Sequence, residues 1–133
     1  MGASKSNNER EQHRAVIFIV DDEPMLLELA EHILENLNCE IHTFSDPKAA
    51  LKAYSAAEKP PDLLITDFAM HEMDGMELIS RCRQTHPKQK IILVSGTVDE
   101  SIYSGAAAKP DRFLAKPYRP AQFATLVLEV LTH

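Results

Sequence analysis

The chain has 133 residues, a hydrophobic fraction of 44% and a net charge of −6. That length and composition describe one domain with a usable core, not a disordered chain. The acidic balance and the lack of a basic block argue against a direct nucleic-acid-binding surface, because phosphate recognition needs clustered Lys and Arg.

Residues 1–14 are rich in Ser, Asn, Glu and Arg, show no periodicity, and are expected to form a disordered leader. Residues 15–132 are then the folded domain. Ala15 to Val20 is a continuous β-prone run, as expected of a strand buried on both faces. Asp21 and Asp22 follow it directly. Pro24 suits the first turn of a helix whose stripe is Leu26, Leu29, Ala30, Ile33, Leu34 and Leu37. Glu40 to Phe44 is a shorter strand, with Ile41 and Thr43 on one side and His42 and Phe44 on the other. Asp46-Pro47 opens the next helix, with the acid as N-cap and the proline at the first helical position. It runs through Leu51 and Tyr54 and ends before Pro60-Pro61.

Asp62 to Thr66 is the third strand. Its apolar run Leu63-Leu64-Ile65 stops at a carboxylate, Asp67. Asp74-Gly75 is a turn signal. Met76, Leu78, Ile79 and Cys82 mark a helix that stops before Pro87. Lys90 to Val94 is the fourth buried strand and is followed by Ser95-Gly96-Thr97. Val98 to Ala108 has helical spacing in Ile102, Tyr103, Ala106 and Ala107, but Gly105 inside it costs about 1 kcal/mol against alanine. Pro110 disfavours a helical Lys109. Arg112 to Ala115 is a fifth short strand, followed by Lys116-Pro117. Pro120 starts the last helix, whose face is Phe123, Leu126, Val127, Val130 and Leu131.

Five strands alternating with five helices predict an α/β fold with a parallel sheet, right-handed crossovers and helices on both faces. All strand C-termini then share one edge, where open α/β sheets place their ligands. Asp21, Asp22, Asp67, Ser95 and Lys116 converge there. Three carboxylates repel unless a cation joins them. Mg²⁺, a hard ion that takes oxygen ligands and keeps waters, answers that need. With Lys116 beside it, such a site can bind a phosphoryl group, and Asp67 is placed to attack it as a nucleophile.

The set Asp21-Asp22, Asp67, Ser95 and Lys116-Pro117, each closing a strand in that order, resembles the receiver domain of two-component response regulators. The resemblance covers Val16 to Leu131. It implies a flavodoxin-like doubly wound (βα)5 fold with strand order 2-1-3-4-5, the order of chemotaxis receivers. It further implies that Asp67 is the phosphoacceptor, charged from a phosphohistidine on a histidine kinase or histidine phosphotransfer protein. Asp22 would ligate Mg²⁺ directly and Asp21 mostly through water. Asp67 and the main-chain carbonyl of Ala69 would be further ligands. Lys116 would pair with the acids and then with the phosphoryl group. Ser95 would bond that group, and Phe113 would be the aromatic switch that follows Ser95 inward. Lys116-Pro117 resembles the cis peptide of the family.

Several positions depart from the pattern. Met70-His71 stands where most members have Met-Pro. Lys109-Pro110 replaces a small Gly-Ala pair and, with Gly105, suggests an irregular or mobile fourth helix. Phe113 lacks the hydroxyl of a tyrosine switch. Ala69 and Thr97 sit where the family tunes hydrolysis, and neither is bulky enough to shield the phosphoryl group strongly.

The expected role is a phosphorylation-driven signalling switch, not a metabolic enzyme; with no output domain expected after the last helix, it would act by binding a downstream protein, by passing phosphate along a relay or as a phosphate sink. The expectation is a monomer or weak dimer. No apolar run is long enough to span a bilayer and no signal peptide is evident, so a cytoplasmic protein without membrane contact is expected. Cys39 and Cys82 fit no metal or redox spacing and are read as small buried or half-buried thiols. The enzyme alternative is a small Mg²⁺-dependent phosphohydrolase of the haloacid dehalogenase type. Its nucleophile follows the first strand in an Asp-x-Asp pattern, whereas this chain has Asp21-Asp22-Glu23. An FMN-binding module is disfavoured by the two acids where a phosphate loop belongs. Plainer readings are a helix cap for Asp21-Asp22, a turn residue for Ser95, a solvated lysine for Lys116, core for Phe113 and an exposed loop residue for His71.

Overall fold

The computed structural model describes residues 14–96 and 108–132. Its elements are β1 (Ala15–Val20), α1 (Pro24–Leu34), β2 (Cys39–Phe44), α2 (Pro47–Ala56), β3 (Leu63–Asp67), α3 (Gly75–Thr85), β4 (Ile91–Ser95), β5 (Arg112–Ala115) and α4 (Pro120–Thr132). The expected helix over Val98 to Ala108 and the expected leader lie outside the described residues, apart from Ala108 and Arg14.

The five strands form one parallel sheet in the order β2-β1-β3-β4-β5, as the receiver resemblance implied. The alternation of each strand divides the core into two layers. Ile17 and Ile19 of β1, with Leu63 and Ile65 of β3, pack on Leu27, Ala30 and Leu34 of α1 and on Phe123, Val127 and Val130 of α4. Phe18, Val20 and Leu64 face the other way, onto Ala50 and Tyr54 of α2 and Leu78, Ile79 and Cys82 of α3. In β2, Ile41 packs on the first layer and Phe44 on the second, as the alternation predicts. All five residues of β3 and all five of β4 are buried, which is why both read as unbroken apolar runs.

Local chemistry sets the helix starts. Asp46 caps α2, its carboxylate accepting the Lys48 N–H at 3.0 Å with Pro47 next to it. Asp74 caps α3 in the same way, accepting the Glu77 N–H at 2.9 Å. Asp74-Gly75 is thus a helix entry and not merely a turn. Gly75 is the first helical residue, and an added Cβ there would stand 2.4 Å from the main-chain oxygen of Asp67. The glycine is required by close approach of α3 to the end of β3. α1 ends at Leu34, short of the end of its apolar stripe; Leu37 lies in the following turn, its N–H donating to Leu34 at 3.0 Å, and still packs on the first layer.

At the N-terminal edge of the sheet, the Tyr54 hydroxyl donates to buried Gln89 at 2.7 Å, and the Gln89 amide donates to the Pro61 carbonyl at 2.9 Å. Arg83 of α3 pairs with Asp111 at 2.9 Å and also donates to the carbonyls of Gln89 and Lys109. The carbonyl of Lys109, next to Pro110, is therefore anchored to α3. Cys39 is half-buried and Cys82 buried, both as free thiols, as expected; burial pushes the Cys82 thiol up to about 12.

Candidate functional site

Every strand except β2 delivers a polar group to the C-terminal edge. The Asp21 N–H donates to the Phe44 carbonyl at 3.1 Å, so the β1–β2 ladder continues to the acid itself. One Asp21 oxygen accepts the Glu23 N–H at 3.0 Å. Glu23 is the N-cap residue of α1, with no side-chain cap bond, so capping does not account for the paired aspartates. Asp67 closes β3 and is buried; the next N–H, of Phe68, donates to the Val94 carbonyl at 2.9 Å and holds the strand end against β4.

Lys116 crosses the crevice. Its ammonium lies 3.0 Å from Asp67 and 3.1 Å from Asp21, and the side chain is 20% exposed. The plain reading of a solvated lysine is therefore wrong. The Lys116 N–H also donates to the Ser95 carbonyl at 2.8 Å, which ties the end of β5 to the end of β4. The peptide between Lys116 and Pro117 is cis, as the resemblance implied. Asp22 is half-buried beside these groups, and ligand oxygens of Asp21, Asp22 and Asp67 all lie within 4.8 Å of one another.

Burial holds the Asp67 carboxyl above its ordinary value; the charges of Asp21 and Asp22 add to this, and the Lys116 bond opposes it without cancelling it. Burial pushes the Lys116 ammonium down, but the bonds to Asp67 and Asp21 and their charges outweigh burial, so the lysine stands above its ordinary value. Tyr118 packs face to face with Phe123 at 5.0 Å between ring centroids, and burial keeps its hydroxyl protonated more firmly than usual.

Three carboxylates face one ammonium, which leaves an excess of negative charge in a half-closed crevice. Ligands on opposite sides of Mg²⁺ are about 4.2 Å apart, given bonds of about 2.1 Å. The spacing of the aspartate oxygens and their hard, anionic chemistry fit that ion. A cleft of about 690 Å³ lies at the opposite edge, between Pro60-Pro61 and the 86–90 segment, away from the aspartates. The candidate site is thus a small charged crevice and not that larger space.

Ser95 is buried at the end of β4, in register with Ala115. Phe113 is half-buried on β5, in register with Leu93, and packs against the second layer. Ala69 is exposed in the loop after Asp67. The structure therefore brings Asp21, Asp22, Asp67 and Lys116 into one cluster, with Ser95 bonded through its main chain to Lys116. Two features were not legible beforehand. His71, read as an exposed loop residue, is exposed, but its Nε2 lies 3.5 Å from Oδ2 of Asp22. Gly75 sets how closely α3 approaches Asp67. The four-residue offset of His71 from Asp67 was the available signal for the first; nothing in the sequence marked the second beyond glycine itself.

Residues 17–128 match the response regulator receiver domain family. The sensor kinase CckA of Brucella abortus is 30% identical over 118 residues, covering 88% of this chain and 12% of that protein. The cyclic di-GMP phosphodiesterase response regulator RpfG of Xanthomonas campestris is 36% identical over 111 residues, covering 80% of this chain and 29% of that protein. Among solved structures, the signal receiver domain of an HD domain-containing protein from Pseudomonas fluorescens superimposes with a TM-score of 0.81 at 27% identity, covering 91% of this chain and 97% of that one. The fold is that of a signalling receiver domain. The chain belongs to the response regulator receiver domain family of two-component systems. That family is one of switches that work with histidine kinases and downstream targets, so the haloacid dehalogenase alternative is not favoured. The chain spans 12% and 29% of the two relatives' lengths. Among the described residues, no helix is long and apolar enough to cross a membrane.

Proposed function

We propose that residues 15–132 act as a phosphorylation switch in which Asp67 takes a phosphoryl group from a phosphohistidine on a partner histidine kinase or phosphotransfer protein. The observation that supports this most is the Lys116 ammonium, held 3.0 Å from Asp67 and 3.1 Å from Asp21 beside the third acid, Asp22. An Asp67 carboxylate oxygen attacks phosphorus in line as the phosphorus–nitrogen bond to the donor imidazole breaks. The electron pair of that bond returns to the imidazole nitrogen, which takes a proton. The work of the site is positioning and charge stabilisation.

Mg²⁺ would be held by Asp22 and Asp67 directly, by Asp21 mostly through water, and by the main-chain carbonyl of Ala69. Bound there, it offsets the charge of the acids and of the phosphoryl oxygens. Asp21 already accepts bonds from Lys116 and from the Glu23 N–H, which favours its role as an outer partner. Lys116 passes from the free acids to a phosphoryl oxygen. The Ser95 hydroxyl donates to another, drawing its loop inward, and Phe113 follows toward the space vacated. The two arrangements form one equilibrium that phosphorylation shifts, and a downstream protein reads the shifted state. The exposed methyl group of Ala69 leaves hydrolytic water unhindered. Single-turnover transfer tests the reading. With Mg²⁺ and a small phosphodonor, wild type takes one phosphoryl group and Asp67→Asn takes none; equal labelling of both defeats it.

A further inference from the structure

Arg83 joins three elements at the edge of the sheet opposite the aspartates. It stands near the end of α3, whose first residue, Gly75, lies against Asp67. Its side chain is only 18% exposed and reaches the entries of β4 and β5 together. Nε and Nη2 both donate to the Gln89 carbonyl, at 3.2 and 3.0 Å. Nη2 also meets Oδ2 of Asp111 at 2.9 Å, and Nη1 donates to the Lys109 carbonyl. Asp111 is tied to β4 twice more: Oδ2 accepts the Ile91 N–H at 2.7 Å, and its own N–H donates to the Ile91 carbonyl at 2.9 Å. Charge-assisted bonds of this kind are the strong ones, and a largely buried guanidinium is costly to leave without them.

The clamp bears on Phe113. β5 is held at its entry by Asp111 and at its exit by the Lys116 N–H on the Ser95 carbonyl, at 2.8 Å. Phe113 lies between these ties, half-buried, and packs on the second layer. Ala108, next to the anchored Lys109, packs on the same layer. We propose that Arg83 is a latch on the unphosphorylated arrangement: its bonds to Lys109 and Asp111 fix the entry of β5, and they loosen when Phe113 moves inward. This rests on the switch reading above. A change that loosens the latch favours the other arrangement and raises the affinity of Asp67 for a phosphoryl analogue, because less of the binding energy goes into the rearrangement. A contact that only supports the fold would lower stability and leave that affinity unchanged.

The test titrates the full chain with beryllofluoride in saturating Mg²⁺ and follows amide chemical shifts by NMR. Wild type, Arg83→Met, Arg83→Lys, Asp111→Asn and Asp67→Asn are compared, and urea unfolding gives the stability of each. Arg83→Met should be less stable than wild type yet bind beryllofluoride about fivefold or more tightly. Arg83→Lys keeps the charge but not the planar fork, and Asp111→Asn keeps an acceptor oxygen but not the charge. Both should show smaller rises of the same sign, and they carry the comparison if Arg83→Met does not fold. Affinity equal to or weaker than wild type in the folded Arg83 and Asp111 variants overturns the latch. Beryllofluoride binding by Asp67→Asn as tight as by wild type overturns the switch reading beneath it.

Discussion

Gly75→Ala places a methyl group against the end of β3, beside Asp67. The new Cβ would stand 2.4 Å from the Asp67 carbonyl oxygen, 3.0 Å from Leu93 Cδ1 and 3.0 Å from Phe68 Cα. Two of these neighbours are backbone at the end of a fully buried strand, so no side chain can swing aside to make room. The first turn of α3 and the Asp67 carbonyl must separate by nearly 1 Å, against core that is already close-packed. Overpacking of this kind costs about 1–3 kcal/mol. The better helix propensity of alanine returns up to about 1 kcal/mol, less at a first helical position. A net loss of about 1–2 kcal/mol follows, or a fall in melting temperature of about 3–8 °C for a domain of this size. Urea unfolding at constant m-value reads it. Gly96→Ala is the internal control: among the described residues nothing lies within 4 Å of its added Cβ, so its stability should stay within about 0.5 kcal/mol of wild type. A Gly75→Ala protein as stable as wild type would refute the close-approach account of that glycine.

Mg²⁺ should stabilise the folded domain by mass action, by about 1.4 kcal/mol at ten times its dissociation constant, and Asp22→Asn should abolish the gain. Equal gains in both proteins, in parallel urea titrations, would count against the aspartate cluster as the site. Without divalent ions, Asp67→Asn should be more stable than wild type at neutral pH. The sign follows from the raised Asp67 value: the folded state holds its proton more firmly than the unfolded state, so wild type loses stability as pH rises from the ordinary carboxylate value through the raised one. The advantage of asparagine should therefore shrink as pH falls through that window. A gap that stays constant or widens in acid, read as urea midpoints in EDTA, contradicts the assignment of burial as the main cause.

The parts of this fold that depend on pattern were readable from the chain. β3 and β4 are buried on both faces and so appear as apolar runs, and the residue that ends each run had to lie at one edge of a parallel sheet. Asp46 before Pro47 fixed the start of α2, because cap and proline are local devices. The contacts that escaped depend on three-dimensional approach. Asp74 caps a helix whose first residue is a glycine under Asp67, and no local signal separates that from a turn. The left-handed Glu72 is unexpected for a residue with a Cβ; it is held by the turn that joins Met73 to His71 and by Lys48. Arg83 reaches Asp111 and the Lys109 carbonyl across the sheet edge, a partner choice set by register and not by spacing in sequence. In the site, Asp21, Asp67 and Lys116 were legible because each closes a strand. The contact of His71 with Asp22 was not, because it is made from a loop.

Asp67 is proposed as the nucleophile, made one by Lys116 and the neighbouring acids. The most direct measurement treats the protein with Mg²⁺ and a small phosphodonor, traps the product by borohydride reduction, and maps the modified residue by peptide mass spectrometry. Wild type should take one phosphoryl group per chain and yield homoserine at position 67 only, and Lys116→Met should show sharply lowered uptake. Modification at Asp21 or Asp22 in place of Asp67, or undiminished uptake by Asp67→Asn, would contradict it.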